Sequence, residues 1–186
     1  MTSSAAVPEA LANLRPSRDS ALVIVVRLPP ALDALRRRLI ADASQGVPPH
    51  ITLLYPFAEP AQISAAVLDA VAGIAAGHPP LAVRLTEGRR WPDTLYAAVE
   101  PEPPLTALQA RLAGAFPSLP LYGGEHLFEP HVSIGEGPAV HAPGALDDPA
   151  WATLPVGEQV TDVDLITKVD GRWDTRHQFR LKAPAR

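Results

Sequence analysis

The tetrapeptide His50-Ile51-Thr52-Leu53 returns as His131-Val132-Ser133-Ile134, and a proline, Pro49 or Pro130, precedes each copy. Each copy alternates polar and apolar residues, the pattern of a short half-buried strand. Side chains at i and i+2 of a strand point the same way. His50 and Thr52 therefore share one face while Ile51 and Leu53 share the other, and His131 and Ser133 repeat the arrangement. Any fold for this chain must bury two apolar strand faces and leave two His-hydroxyl faces open.

The surroundings of the two strands repeat as well. Residues 22–26 read as a buried strand stopped by Pro29-Pro30. Residues 31–43 follow with Leu32, Leu35, Leu39 and Ile40 at helical spacing and with Arg36-Arg37-Arg38 on a solvated face. The loop 45–49 leads into the first His strand. A helix over 61–76 (Ile63, Val67, Val71, Ile74) and a strand over 81–85 come next. In the second half a strand over 94–99 is stopped by prolines, and Leu105, Leu108, Leu112 and Phe116 mark a helix. A Gly123-Gly124 loop then precedes the second His strand. Residues 142–154 leave room for a short helix, 160–169 form a strand, and 179–181 return across the turn Asp170-Gly171.

This order predicts a duplicated α+β unit, each copy donating one His strand. If the copies face each other about a pseudo-twofold axis, the two imidazoles meet in a central groove. Residues 1–20 read as a flexible lead-in, and 21–186 as one domain of two lobes, about 21–90 and 91–182. The chain has 22 prolines in 186 residues, several as pairs beside predicted elements (Pro29-Pro30, Pro79-Pro80, Pro103-Pro104). They punctuate a fold and form no polyproline tract.

Charge narrows the partners. The net charge is −4 and the sequence pI about 5.8, whereas a protein that grips a long duplex by its backbone carries a basic face. A small cyclic nucleotide or an RNA terminus fits better. The chain has no cysteine, which excludes disulfides, thiolate nucleophiles and sulfur-bound zinc. No run reaches the roughly 20 apolar residues of a membrane helix, and the first 20 residues show no signal pattern. A soluble, cytoplasmic monomer is the expectation.

Two imidazoles, each with a hydroxyl beside it, suit phosphodiester cleavage without a metal. One ring takes a proton, the other gives one, and the hydroxyls hold the nonbridging oxygens. A lone His-x-Thr is weak, but two copies at equivalent places are specific. His78, His126, His141 and His177 have no hydroxyl two residues on. A catalytic zinc would want a third ligand, and neither motif has a carboxylate at i+2 or i+4, so no metal and no cofactor is expected. For substrate contacts, Arg27 and Arg90 (in Arg89-Arg90-Trp91) offer a guanidinium fork to phosphate, and Tyr55 could stack a base. Phe57 and Phe128 read as core, and Trp173 as packing beneath the terminal hairpin.

The stretches 48–57 (Pro-Pro-His-Ile-Thr-Leu-Leu-Tyr-Pro-Phe) and 130–134 (Pro-His-Val-Ser-Ile) resemble the 2H phosphoesterase superfamily. The nearest branch is the 2′-5′ RNA ligase and cyclic phosphodiesterase family, and the likeness covers about residues 22–181. The resemblance implies a bilobal α+β fold whose two antiparallel sheets form a central cleft with helices outside. It also implies metal-independent hydrolysis of 2′,3′-cyclic or related phosphodiesters, with reversible 2′-5′ RNA ligation in some members. Carried over by position, His50 and His131 are the acid and base, and Thr52 and Ser133 contact phosphate oxygens. Ser133 stands where many relatives have threonine. Some relatives place a basic residue just after the second motif, where this chain has Gly135-Glu136-Gly137. Phosphate neutralisation must then come from elsewhere, which weakens the case for ligation. A nucleotide- or RNA-end-binding module without turnover, or a reversible 2′-5′ RNA ligase, is the alternative.

Overall fold

The computed structural model describes residues 8–141 and 144–182. In chain order the elements are α1 (Glu9–Ala12), β1 (Pro16–Ser17), β2 (Ser20–Val25), α2 (Pro30–Leu39), β3 (His50–Leu54) and β4 (Phe57–Ala58). There follow α3 (Ala65–Ala76), β5 (Leu81–Trp91), β6 (Thr94–Glu100), α4 (Glu102–Ala115) and β7 (His131–Glu136). The chain closes with β8 (Val156–Val160), β9 (Asp162–Val169) and β10 (Arg172–Arg180). The fold is α+β. Two four-stranded antiparallel halves, β10-β9-β2-β3 and β7-β6-β5-β8, join through β3 and β7, and β1 and β4 make a small separate ladder. Each half has its His strand innermost. In the segment expected to hold a short helix, 142–143 lie outside the described residues, and Pro149–Thr153 forms a 3-10 turn.

The halves are not consecutive along the chain. β5 precedes residue 92 yet pairs with β6, while β9 and β10, near the end, pair beside β2. A lobe boundary at 90/91 therefore cuts through one half of the sheet. The cause is local: β5 and β6 are joined by a two-residue turn, with Trp91 opposite Thr94, and a two-residue loop makes its flanking strands antiparallel neighbours. The lead-in also needs correction. Residues 1–7 lie outside the described residues, but Leu11 and Leu14 are buried in the core, β1 pairs with β4, and the buried Ser20 hydroxyl donates to the Ala58 carbonyl at 2.6 Å. Leucines spaced three apart supply the apolar stripe that docks this segment.

Period-two alternation divides the sheet into two faces. Leu22 and Ile24 of β2, Ile51 and Leu53 of β3, and Val132 and Ile134 of β7 all belong to the main core. That core is closed by Leu32 and Leu35 of α2, Val67 and Val71 of α3, and Leu105, Leu108 and Leu112 of α4. The opposite face holds a smaller cluster, Ala21, Val23, Val47, Ile166 and Trp173. Trp173 thus packs on the open face of the sheet, since its position on β10 alternates to that side.

Helix α2 stops at Leu39, and a 3-10 turn over Ala41–Gln45 ends at Gly46. Gly46 has φ +96, and a Cβ there would lie 2.7 Å from the Trp173 carbonyl oxygen. Only glycine lets this loop press against β10 in that conformation. Phe57 and Phe116 are fully buried and meet edge to face, with centroids 5.3 Å apart. Phe128 packs partly buried against the same core. Among the described residues no helix is long and apolar enough to cross a membrane. Phe116→Ala should lower the unfolding free energy by about 3–5 kcal/mol in urea denaturation; a loss below about 1 kcal/mol would contradict this account of the core.

Candidate active site

β3 and β7 meet at the Ile51–Val132 pair in antiparallel register. One step along each strand sets His50 beside Ser133 and Thr52 beside His131, all on the face opposite the core. The two histidines are then diagonal neighbours, a relation that spaces positions by roughly 7–8 Å. The electrostatics agree with this proximity, because a charge on His131 disfavours one on His50.

Both rings are held alike. His50 Nδ1 lies 2.8 Å from the Pro48 carbonyl oxygen, and His131 Nδ1 lies 2.7 Å from the Glu129 carbonyl oxygen. A carbonyl only accepts, so Nδ1 carries the proton in each ring, and Nε2 is the free, basic nitrogen. The residue two positions before each histidine supplies the orienting carbonyl, across the proline that precedes the ring.

The two rings differ in their charged neighbours. Burial pushes His50 down to about 4, opposed by the Pro48 carbonyl and reinforced by the Arg36 and His131 charges. Burial also lowers His131, but there both the Glu129 carbonyl and the Glu129 carboxylate oppose it. One histidine has a cation for its neighbour and the other a carboxylate. Around His131 the indole of Trp91 stands edge-on at 4.6 Å between centroids, and Trp91 itself stacks on Tyr96 at 4.0 Å. The Tyr96 hydroxyl donates to the Glu129 carboxylate at 3.3 Å.

Beside His50 opens a pocket of about 180 Å³ lined by Thr52, Ser133, Tyr55, Tyr122, Arg36, Asp42 and Glu136, with Ile166 and Trp173 at its apolar end. Pockets that enclose a drug-sized ligand run to about 300–1,000 Å³, so this one takes part of a substrate. Glu136 reaches solvent from the pocket wall. Desolvation raises its pKa, Asp42 adds to the rise, and Arg36 and the Ser133 hydroxyl oppose it. Burial likewise raises Tyr122, against the Thr52 hydroxyl beside it.

The structure brings together His50, Thr52, His131, Ser133 and Tyr55. It does not bring in Arg27 or Arg90. The Arg27 side chain is 95% exposed and faces Glu158 of β8, whose carboxylate also accepts from the Arg27 main-chain N–H at 2.6 Å. Arg90 fails by one residue of register: the face of β5 that carries Trp91 carries Arg89, and Arg90 points the other way. Arg89 pairs with Glu87 at 2.8 Å. Arg36, read as part of a solvated face, is instead 3% exposed and lines the pocket. Its place on the helix gave a signal: Leu32, Leu35 and Leu39 flank the angle at which residue 36 projects.

The comparisons with known proteins give the family and the fold. A model of the 2′-5′ RNA ligase superfamily matches residues 11–172. A protein of Geobacillus kaustophilus (strain HTA426), provisionally named a phosphoesterase, is 34% identical over 93 residues. That match covers 48% of this chain and 51% of the relative, so the chain spans about half that protein's length. The fold is shared with TT0787 of Thermus thermophilus at a TM-score of 0.59 and 19% identity, covering 89% of this chain and 99% of that one. It is also shared with Escherichia coli LigT complexed with 3′-AMP, at 0.53 and 20% identity, covering 90% and 99%. The chain belongs to the 2′-5′ RNA ligase superfamily.

With both rings desolvated in this way, His50 and His131 are neutral Nδ1–H tautomers at pH 7. Imidazole NMR across pH 3–8 should show His50 titrating near 4 and His131 below its ordinary value of about 6.5. A His50 that titrates at about 6.5 or above would contradict the site's electrostatics.

Proposed function

We propose that this member of the 2′-5′ RNA ligase superfamily is a metal-independent phosphodiesterase that opens 2′,3′-cyclic or related phosphodiesters of nucleotides or RNA ends. The observation that carries the reading is the antiparallel Ile51–Val132 pair, which sets two identically oriented imidazoles on one open face with a hydroxyl beside each. LigT has been solved with 3′-AMP, NADP+ and ATP, which supports a small nucleotide as the ligand class.

The phosphorus sits between the rings. His50, kept neutral by burial and the Arg36 charge, removes a proton from water through Nε2. His131, beside the Glu129 carboxylate, is the ring better able to carry a proton, and donates it to the leaving ribose oxygen. The P–O bond to that oxygen breaks as the water oxygen bonds to phosphorus, so a cyclic diester becomes a monoester. Thr52 and Ser133 donate to the nonbridging oxygens, where charge grows in the transition state. Tyr55 lies along the pocket as a face for a base, and Trp91 borders the leaving-group side. Reversing the proton transfers closes the cyclic diester again, whereas ligation puts the hydroxyl of a second RNA terminus in the place of water, and Glu136 at the pocket wall opposes the phosphates that such a terminus brings.

With a 2′,3′-cyclic nucleotide as substrate, His50→Ala and His131→Ala should each lose about 10²–10⁴ in rate, and EDTA should leave the wild type unchanged. The kcat/KM profile should be bell-shaped with its optimum below about pH 6.5, because the free enzyme needs neutral His50 and protonated His131 and both pKa values are lowered. Nucleotide binding with no phosphate-ester product would favour the binding-module reading instead.

A further inference from the structure

Arg36 differs from its neighbours on α2. Arg37 and Arg38 are exposed and pair with Asp33 at 2.7 Å and Asp148 at 3.1 Å. Arg36 is buried and donates from Nη1 to the Val47 carbonyl at 3.1 Å and from Nη2 to the Pro48 carbonyl at 3.2 Å. Its Nε is buried without a partner. Among the described residues no carboxylate lies within 4 Å of its nitrogens. A guanidinium keeps its proton in proteins, and a buried cation without a counter-ion is costly. Asp33, Asp42 and Glu136 face the guanidinium without pairing directly with it, so the pocket holds a positive charge whose direct partner would be an incoming anion.

The Pro48 carbonyl is also the one that accepts from His50 Nδ1 at 2.8 Å. A carbonyl oxygen has two lone pairs and can serve both donors. On the other strand the Glu129 carbonyl receives His131 with no arginine donating to it among the described residues. Arg36 therefore acts on one histidine of the pair and not on its twin.

We infer that Arg36 is the positioning residue for His50 and the cation that the pocket keeps for the substrate's phosphoryl group. It fixes the carbonyl that aims the His50 ring, and it supplies the positive charge that Gly135-Glu136-Gly137 does not. The role rests on the reading of His50 as the base. His50 faces Arg36 from α2 and His131 from β7. Arg36 in turn faces Asp33 and Arg37 on its own helix, Asp42 on the turn after it and Glu136 on β7. His131 faces Glu129.

The test compares the full-length wild type with Arg36→Met, which keeps the volume and loses the charge, and Arg36→Lys, which keeps the charge and loses the fork. Histidine NMR titrations and inorganic phosphate binding are measured without turnover, and kcat and KM with a 2′,3′-cyclic nucleotide. In Arg36→Met, His50 should titrate above the wild-type value, phosphate should bind at least about tenfold more weakly, and kcat should fall by about 10². The acid limb of the pH profile should move up with the His50 titration. Arg36→Lys should recover phosphate binding but not kcat. A folded Arg36→Met with the wild-type His50 titration and phosphate affinity overturns the inference, as does wild-type protein that binds no phosphate. If Arg36→Met does not fold, an Arg36→Lys protein with wild-type kcat overturns it. If Arg36→Met shows these titration and binding shifts but the wild type turns over no cyclic phosphodiester, the proposed function is retired and Arg36 keeps its role.

Discussion

One backbone pairing organises the molecule. Where Ile51 lies opposite Val132, the halves of the sheet become continuous, and the alternation of each strand turns four polar side chains to the same open face. The apolar partners at 51, 53, 132 and 134 go into the helix-covered core. A one-residue slip of either strand would carry its histidine into that core and its isoleucine or valine into solvent. Burial of the apolar face and display of the His-hydroxyl face are thus a single constraint, and packing energy holds the four polar side chains in place.

Symmetry ends at the backbone. The two rings share a tautomer and an orienting carbonyl, yet Arg36 stands over one and Glu129 beside the other. Burial lowers both rings, but the charges beside them push His50 further down and His131 back up. A pair of groups with separated tendencies to hold a proton is what acid-base division of labour requires.

Much of the fold and the centre of the site is legible in the residues alone. The repeated His-x-hydroxyl pattern locates four side chains because a strand has a strict period and a proline marks where each begins. The helices over Ala65–Ala76 and Glu102–Ala115 follow from leucine and valine spacing, although Pro103 and Pro104 open α4 as well as ending the strand before it. Partner choice between strands is hidden. Nothing local tells β9 to lie beside β2, far earlier in the chain, and that long-range choice decides the lobes. Arg90 and Trp173 elude a sequence reading for a related reason: whether a charged or aromatic side chain faces solvent or a cleft depends on what is packed opposite, and for Arg36, whose side of the helix the leucines do mark, the hidden part is its partner, the Val47-Pro48 loop. Arg27 suits a phosphate contact by its place at a strand end near the motif, but Glu158 engages it from the other half.

The interleaving of the halves has a consequence for synthesis. Ile166 and Trp173, which close the apolar end of the pocket beside His50, belong to the last hairpin of the chain. As the polypeptide leaves the ribosome, β2 and β3 emerge early but wait, one side unpaired, for strands made much later. The pocket acquires its walls only once β9 has docked beside β2, so a chain stopped before that hairpin would present the edge of β2 to other chains and have no enclosed site to fill.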